Sequence, residues 1–263
     1  MAAWMEAVLI IPARYGSTRL PGKPLAKIQG EPLIVRVVQQ ALKATRFSEV
    51  IVATDDVRIA DAVEKVGGKA VMTSPEHESG TDRIAEAAQD VRAHIIVNLQ
   101  GDEPFIDPVD LDNVADALAG DPYAEMATLK QSIVEERDFI DPNVVKVVTD
   151  ERGYALYFSR AAIPYHRNAH FEGAYKHIGV YAFKREFLLA FASHARTPLE
   201  QKEGLEQLRA LQMGAKIKVI SARGRSLGID TPEDLARAQQ HDGPWMKEAL
   251  SVSLAGEIGG AAQ

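Results

Sequence analysis

The chain has 263 residues, with 30 Lys and Arg against 37 Asp and Glu and no cysteine, which removes disulfides, thiolate zinc sites, iron–sulfur clusters and cysteine nucleophiles at once. A composition of 46% hydrophobic and 25% charged residues is that of a globular protein, and the net charge of -7 argues against nucleic acid, whose binders carry a basic balance or a dense basic stripe. The opening run MAAWMEAVLIIPARYG makes a poor signal peptide, and no apolar run approaches the ~20 residues of a membrane helix, so a cytoplasmic protein is expected.

Ala7 to Ile11 (AVLII) reads as a strand buried on both faces. From Pro32, which suits a first helical turn, Leu33, Ile34, Val37, Val38, Ala41 and Leu42 share one helical face. Val50 to Ala53 is the next strand. Asp55 or Asp56 can cap a helix whose apolar face is Ile59, Ala60, Val63 and Val66, stopped by Gly67 and Gly68. Lys69 to Met72 (strand), about Thr81 to Val91 (helix) and His94 to Leu99 (strand) follow. This alternation predicts an α/β fold with an open, mostly parallel, Rossmann-like sheet and helices on both faces.

Beyond Asp121-Pro122, strand patterns at Met126 to Leu129, Val144 to Val148, Tyr154 to Phe158 and Ile178 to Phe183 predict a mixed-strand insertion at about 122–190 within a single domain of residues 1–263. A helix is expected over Pro198 to Met213 and a strand over Ile217 to Ile220. The last helix is opened by Thr231-Pro232-Glu233-Asp234, with Thr231 as N-cap and an acid at the capping-box position. The small, polar tail at about 256–263 is expected to fray.

Ligands of such sheets bind outside the carboxyl ends of the parallel strands, so the residues just after each strand are the informative ones. PARYGSTRLPGKPL, after the first strand, combines two glycines with Arg14, Arg19 and Lys23, a pattern that complements a polyphosphate or is simply a solvated basic loop. It is not a Walker A loop: Pro24 follows Lys23, and Ser17 stands where the first glycine belongs. LQGDEP places Asp102 after another strand, where a carboxylate suits magnesium and Gly-Asp also suits a turn. GIDTP places Asp230 before a helix N-terminus, where capping alone would explain it. Ser79-Gly80-Thr81-Asp82-Arg83 stands at a helix entry, again explicable as a cap. Two acids from different strand ends can converge on one metal, and the basic loop favours that reading. No HExxH zinc motif and no GxSxG nucleophile elbow occur.

Taken in order, IPARYGSTRLPGKPL, VATDD, SGTDR, VNLQGDEP, NVVKVV, YALYFSRAAIPY, KHIGVYAF, LEQLR and GIDTPEDL closely resemble the 3-deoxy-manno-octulosonate (Kdo) cytidylyltransferase family from about Val8 to Ala238. STRLPGKPL separates the match from the related sialic acid cytidylyltransferases. The resemblance implies a nucleotidyltransferase sheet with a sugar-binding and dimerisation subdomain, a homodimer, and the reaction of CTP with Kdo to CMP-Kdo and pyrophosphate for lipopolysaccharide. It implies that Arg14 and Lys23 hold the triphosphate as electrostatic catalysts and that Asp102 and Asp230 hold Mg2+. Ser17, Thr54, Ser79, Gly80, Thr81, Arg83 and Asp102 would surround the nucleotide. Gln100, Arg160, His177, Tyr181, Glu206 and Gln207 would meet the sugar acid, Arg160 through its carboxylate. The competing readings are a sugar-1-phosphate or other sugar-acid nucleotidyltransferase, and a nucleotide-binding regulator without catalysis.

Overall fold

The computed structural model describes residues 5–16, 20–167, 173–224 and 228–240. In chain order the elements are β1 (Ala7–Ala13), a 3-10 turn (Lys23–Leu25), β2 (Lys27–Ile28), β3 (Glu31–Pro32), α1 (Leu33–Ala41), β4 (Glu49–Thr54), α2 (Val57–Glu64) and β5 (Lys69–Met72). Then come α3 (Gly80–Ala87), β6 (Ile95–Asn98), α4 (Pro108–Ala119), β7 (Met126–Ser132), α5 (Glu136–Ile140), β8 (Lys146–Thr149) and β9 (Ala155–Ser159). The chain continues with β10 (Tyr175–Lys184), α6 (Arg185–Ser193), α7 (Pro198–Glu203), α8 (Gln207–Gln212), β11 (Ile217–Ser221) and α9 (Pro232–Gln240).

The central sheet runs β11-β7-β10-β6-β1-β4-β5. It is mostly parallel, as expected; β10 alone runs against both of its neighbours. β8 and β9 extend from β10 as an antiparallel pair. The mixed strands of residues 122–190 therefore include two, β7 and β10, that widen the main sheet itself.

β1 is buried at all seven positions, and the two-residue period of a strand divides its side chains between two cores. Ala7, Leu9, Ile11 and Ala13 pack with Leu33, Val37 and Val38 of α1, Ile59 and Val63 of α2, and Leu111, Val114 and Leu118 of α4. Val8 and Ile10 pack on the other face with Ile84 of α3, Leu188 and Phe191 of α6, and Leu208 of α8. A strand with a core on each side has no solvent face, which is why AVLII does not alternate. Each of these large aliphatic side chains gains roughly 1.5–3 kcal/mol from burial.

The strand continues past Ile11 through Pro12. The Leu99 amide donates to the Ile10 carbonyl, so Ile10 and, two residues on, Pro12 face β6. The β1–β6 ladder ends at Ile10 and Asn98, and the missing proline N–H costs no bond there. Pro32 pairs with Lys27 in β3 and precedes α1 as its capping residue instead of lying in its first turn. Asp56, rather than Asp55, caps α2 by accepting from the Arg58 amide. α3 ends at Ala87, short of Val91.

The single helix expected over Pro198 to Met213 is two helices. Gly204 adopts φ 63 and closes α7, and the chain restarts as α8. α4, α5 and α6 fall where no helix is expected from sequence. α6 follows β10 directly, and its capping position, Lys184, makes no side-chain cap, so no start signal marks it. At α9, Thr231 and Asp234 form the expected reciprocal cap: the Asp234 amide donates to Thr231 Oγ1 and the Thr231 amide to Asp234. The tail at 256–263 lies outside the described residues. No helix of the described residues is long and apolar enough to cross a membrane.

Candidate active site

The crevice of an open α/β sheet forms where strand order reverses. Here that point lies between β1, which continues to β4 on one side, and β6 on the other. A cleft of about 270 Å³ opens there, lined by Pro12, Ala13 and Arg14 after β1, by Gln100, Gly101 and Asp102 after β6, by His77 to Gly80 and Arg83 around the start of α3, and by Lys23 and Asp230. The two loops touch backbone to side: a Cβ on Gly101 would stand 2.8 Å from the Pro12 carbonyl oxygen. Glycine is required at that position by close approach.

Lys23 Nζ lies 2.6 Å from Asp102 Oδ2 and 3.0 Å from Asp230 Oδ1. The chain thus brings three of the expected residues, from segments 79 and 207 positions apart in sequence, to one point. The Ile229 amide donates to the Asp102 carbonyl over 2.9 Å, tying the two acid-bearing loops together by their backbones. Two hard carboxylate oxygens converging on one cation are a donor set that fits magnesium, which takes one or two carboxylates and completes its shell elsewhere. Among the described residues no group of three or more His, Asp or Glu forms a denser cluster.

The cleft also receives the N-terminus of α3. Ser79 Oγ accepts from the Asp82 amide and Asp82 accepts from the Ser79 amide, so the cap is satisfied locally, with Ser79 and Gly80 on the cleft wall. A helix N-terminus favours anions. Ser17 lies outside the described residues, and Thr54 is not among the residues lining this cleft. Thr54 is fully buried at the end of β4, where its hydroxyl accepts from the Asp56 amide.

Arg83 edges the cleft, but its guanidinium is committed to the protein. It is 3% exposed and donates to Thr73 Oγ1 at 2.6 Å and to Asp55 Oδ2 at 3.0 Å. The other oxygen of Asp55 accepts from the Tyr15 amide at 3.1 Å, and the Arg58 guanidinium stacks on the Tyr15 ring at 3.7 Å. Asp55 therefore joins the α3 arginine to the first loop. In the sequence Asp55 reads only as a possible cap, because nothing local in VATDD shows what it faces.

A second cleft of about 670 Å³ adjoins the first through Gly80 and Gln100, which line both. Thr81, His177, Tyr181, Glu206 and Gln207 line it, together with Asn143 to Val145 and Lys176. β10 supplies His177 and Tyr181 because it runs antiparallel beside β6, pairing Tyr181 with Asn98, so its early residues lie just beyond the carboxyl end of β6. The α7–α8 turn supplies Glu206, which accepts from Thr81 Oγ1 at 2.5 Å. Tyr181 donates to Gln207 Oε1 at 3.2 Å, while Gln207 Nε2 is a buried donor with no partner among the described residues. Burial holds the His177 imidazole down near pKa 3 and pushes the Tyr181 phenol far above its ordinary range, so both are neutral at pH 7.

Arg160 is not among the residues lining the second cleft. Its Nε donates to the Glu203 carbonyl at 2.7 Å and its Nη1 to the Pro142 carbonyl at 3.0 Å. Its Nη2 approaches within 4.0 Å of where a Cβ on Gly204, a lining residue, would sit. The guanidinium is held behind the rim.

A sequence model of the cytidylyltransferase family matches residues 8–217. The 3-deoxy-manno-octulosonate cytidylyltransferase of Trichlorobacter lovleyi is 50% identical over 90% of this chain and 98% of its own length. That of Geobacter metallireducens is 51% identical over 88% and 95%. The solved structure of CMP:2-keto-3-deoxy-manno-octonic acid synthetase complexed with CTP superposes with a TM-score of 0.85 at 45% identity, covering 89% of this chain and 97% of that one. A 4-diphosphocytidyl-2C-methyl-D-erythritol synthase from Anaerococcus prevotii, at 18% identity and a TM-score of 0.63, shares the fold.

Proposed function

We propose a division of labour between the two clefts, from the premise that the chain belongs to the 3-deoxy-manno-octulosonate cytidylyltransferase family. The protein transfers CMP from CTP to the anomeric hydroxyl of Kdo: the hydroxyl oxygen bonds to the α-phosphorus, the bond to the bridging oxygen breaks, pyrophosphate leaves and the hydroxyl proton passes to solvent. The observation that carries this reading is the meeting of the two clefts at Gly80 and Gln100, beside carboxylates that converge on one cation.

The first cleft takes the nucleotide. Arg14 and Lys23 neutralise the triphosphate and the charge that grows on the departing pyrophosphate, where preorganised cations stabilise the transition state most. Ser79 and Gly80 present the α3 N-terminus to the same anion. Asp102 and Asp230 would hold Mg2+, which supplies Lewis-acid polarisation of phosphate and a lowered pKa for the attacking oxygen. Asp55 and Arg83 act from behind, by holding the first loop at Tyr15. Asp55→Ala is expected to raise KM for CTP about tenfold, the loss of roughly one positioned contact, while KM for Kdo stays within twofold; steady-state kinetics with each substrate varied in turn will measure both.

The second cleft takes the sugar acid. Gln207 offers its Nε2, Glu206 accepts from sugar hydroxyls, and Arg160, held behind the rim, is assigned to the carboxylate through Nη2. Action in the cytoplasm and a homodimer belong to the same proposal. The dimer is supported by the exposed Val134, Ile140, Leu156 and Tyr165, all in the mixed-strand segment. The test is a pyrophosphate-release assay of CTP, ATP, GTP and UTP against Kdo, 8-amino-Kdo, sialic acid and glucose 1-phosphate. Release with CTP and Kdo is expected; activity confined to the sugar phosphate would reject the assignment.

A further inference from the structure

β10 does not pair evenly with β7. Ile178 pairs with Leu129 and Tyr181 with Thr128, and Gly179 and Val180 bulge between them. Bulges occur beside active sites, where they re-aim side chains and free backbone groups from the ladder. Thr128 is fully buried under this one. Its Oγ1 lies 2.7 Å from the Val180 carbonyl oxygen, 3.2 Å from that of Ile178 and 2.9 Å from His177 Nε2.

These distances fix where the protons are. A threonine hydroxyl carries one proton and two lone pairs, and a carbonyl oxygen carries none. Two oxygens 2.7 Å apart attract only if the hydroxyl proton lies between them. Thr128 therefore donates to Val180 and turns a lone pair to His177, whose Nε2 must carry the proton of that contact.

We propose that Thr128 is a positioning residue that holds His177 as its Nε2–H tautomer and so leaves Nδ1 as an acceptor for a substrate hydroxyl in the second cleft. His177 lines that cleft. Nε2 is engaged by Thr128 and Nδ1 makes no hydrogen bond to a described residue, which leaves Nδ1 as the ring nitrogen for a ligand of the cleft that His177 lines. Phe158 meets the imidazole edge-on at 5.1 Å and Tyr181 flanks it at 5.3 Å, restraining the ring plane. Desolvation by the surrounding side chains lowers the pKa of this ring and prevents a second proton at neutral pH.

An acceptor nitrogen selects a donor: it bonds a hydroxyl and repels a carboxylate. A site built in this way rejects an analogue that lacks the hydroxyl. The choice of a sugar hydroxyl as the ligand rests on the function proposed above. The tautomer does not, because it is a property of the free protein.

The experiment is nitrogen NMR of the full-length protein labelled with 15N-histidine, without substrate at pH 7, with the His177 resonances assigned by their loss in His177→Gln. Wild type is expected to show a protonated Nε2 and a bare Nδ1. Thr128→Val is expected to lose that single tautomer and to raise KM for Kdo about tenfold with KM for CTP unchanged. Thr128→Ser, which keeps the hydroxyl, is expected to retain the tautomer and the wild-type KM. A protonated Nδ1 in the wild type would overturn the proposal, as would Thr128→Val with the wild-type tautomer. If wild type shows the expected tautomer but no turnover with Kdo, the assignment of substrate fails and that of Thr128 stands.

Discussion

Asp102→Asn is expected to lower magnesium-dependent pyrophosphate release by about 100- to 1,000-fold, the cost of removing one preorganised electrostatic group from a transition state, and Asp230→Asn by a similar factor. Each substitution keeps the shape of the side chain and removes the negative charge. In the folded chain these two carboxylates are the anions that meet at Lys23. With one neutralised, the pair loses half of its charge for a divalent cation, and Lys23 is left with one carboxylate. Their side chains are 27% and 46% exposed, so neither is a large contributor to folding. Circular dichroism and thermal unfolding should be close to wild type while turnover falls. Turnover near the wild-type rate in either variant would rule out a site that needs both carboxylates.

Glu200→Gln is expected to destabilise the fold by about 3–5 kcal/mol, the usual cost of breaking a buried ion pair from one side, or on the order of 10 °C in Tm. The Glu200 and Arg209 side chains are 5% and 4% exposed or less. Arg209 donates twice, from Nε to Oε2 at 2.8 Å and from Nη2 to Oε1 at 2.5 Å, and its Nη1 reaches the Phe191 carbonyl at 3.1 Å. An amide cannot accept both guanidinium bonds as an anion does, and the arginine stays buried with its charge unmatched. This pair clasps α7 to α8, so the loss reaches Glu206 and Gln207 in the second cleft.

The same pair sets a pH dependence. Burial raises the Glu200 pKa, but the Arg209 side-chain bonds, the Thr197 amide and the arginine charge outweigh it and leave the carboxyl below its ordinary 4.5. A depressed folded pKa contributes stability above the unfolded value and loses it as pH falls through the folded one. The stability gap between wild type and Glu200→Gln, read from urea unfolding, should be full at pH 7 and shrink below pH 4.5. A gap that widens with acid would contradict the ion-pair account.

How much was legible in the chain depended on whether the signal was local. The pattern Lys69–Met72 predicts β5 at its observed bounds, and the strand, helix and cap signals around β1, α2 and α9 lie within a few residues of the elements they mark. α6 was invisible because its neighbour β10 runs straight into it and no cap announces it. The break at Gly204 was hidden inside a continuous helical pattern, since a glycine in a helix and a glycine ending one look alike until φ is known. Residues 122–190 showed their strands but not their partners: β7 and β10 join the main sheet through pairing with residues far away in sequence.

The site divides in the same way. Position just past a strand or at a helix entry marks the loop of Arg14, Arg19 and Lys23 and the acids Asp102 and Asp230 as residues that can face the crevice, while the choice of Arg14 and Lys23 for the triphosphate and of the two acids for magnesium comes from the family resemblance. The assembly of Lys23 with both acids, the commitment of Arg83 to Asp55, the withdrawal of Arg160 behind the rim and the proton arrangement at Thr128 came only with the tertiary structure. Element type follows from side-chain period and caps within a dozen residues, whereas the role of a polar side chain is set by which groups satisfy it. For these residues the satisfying groups arrive from segments far apart in the sequence, brought within 3 Å by the packing of the sheet.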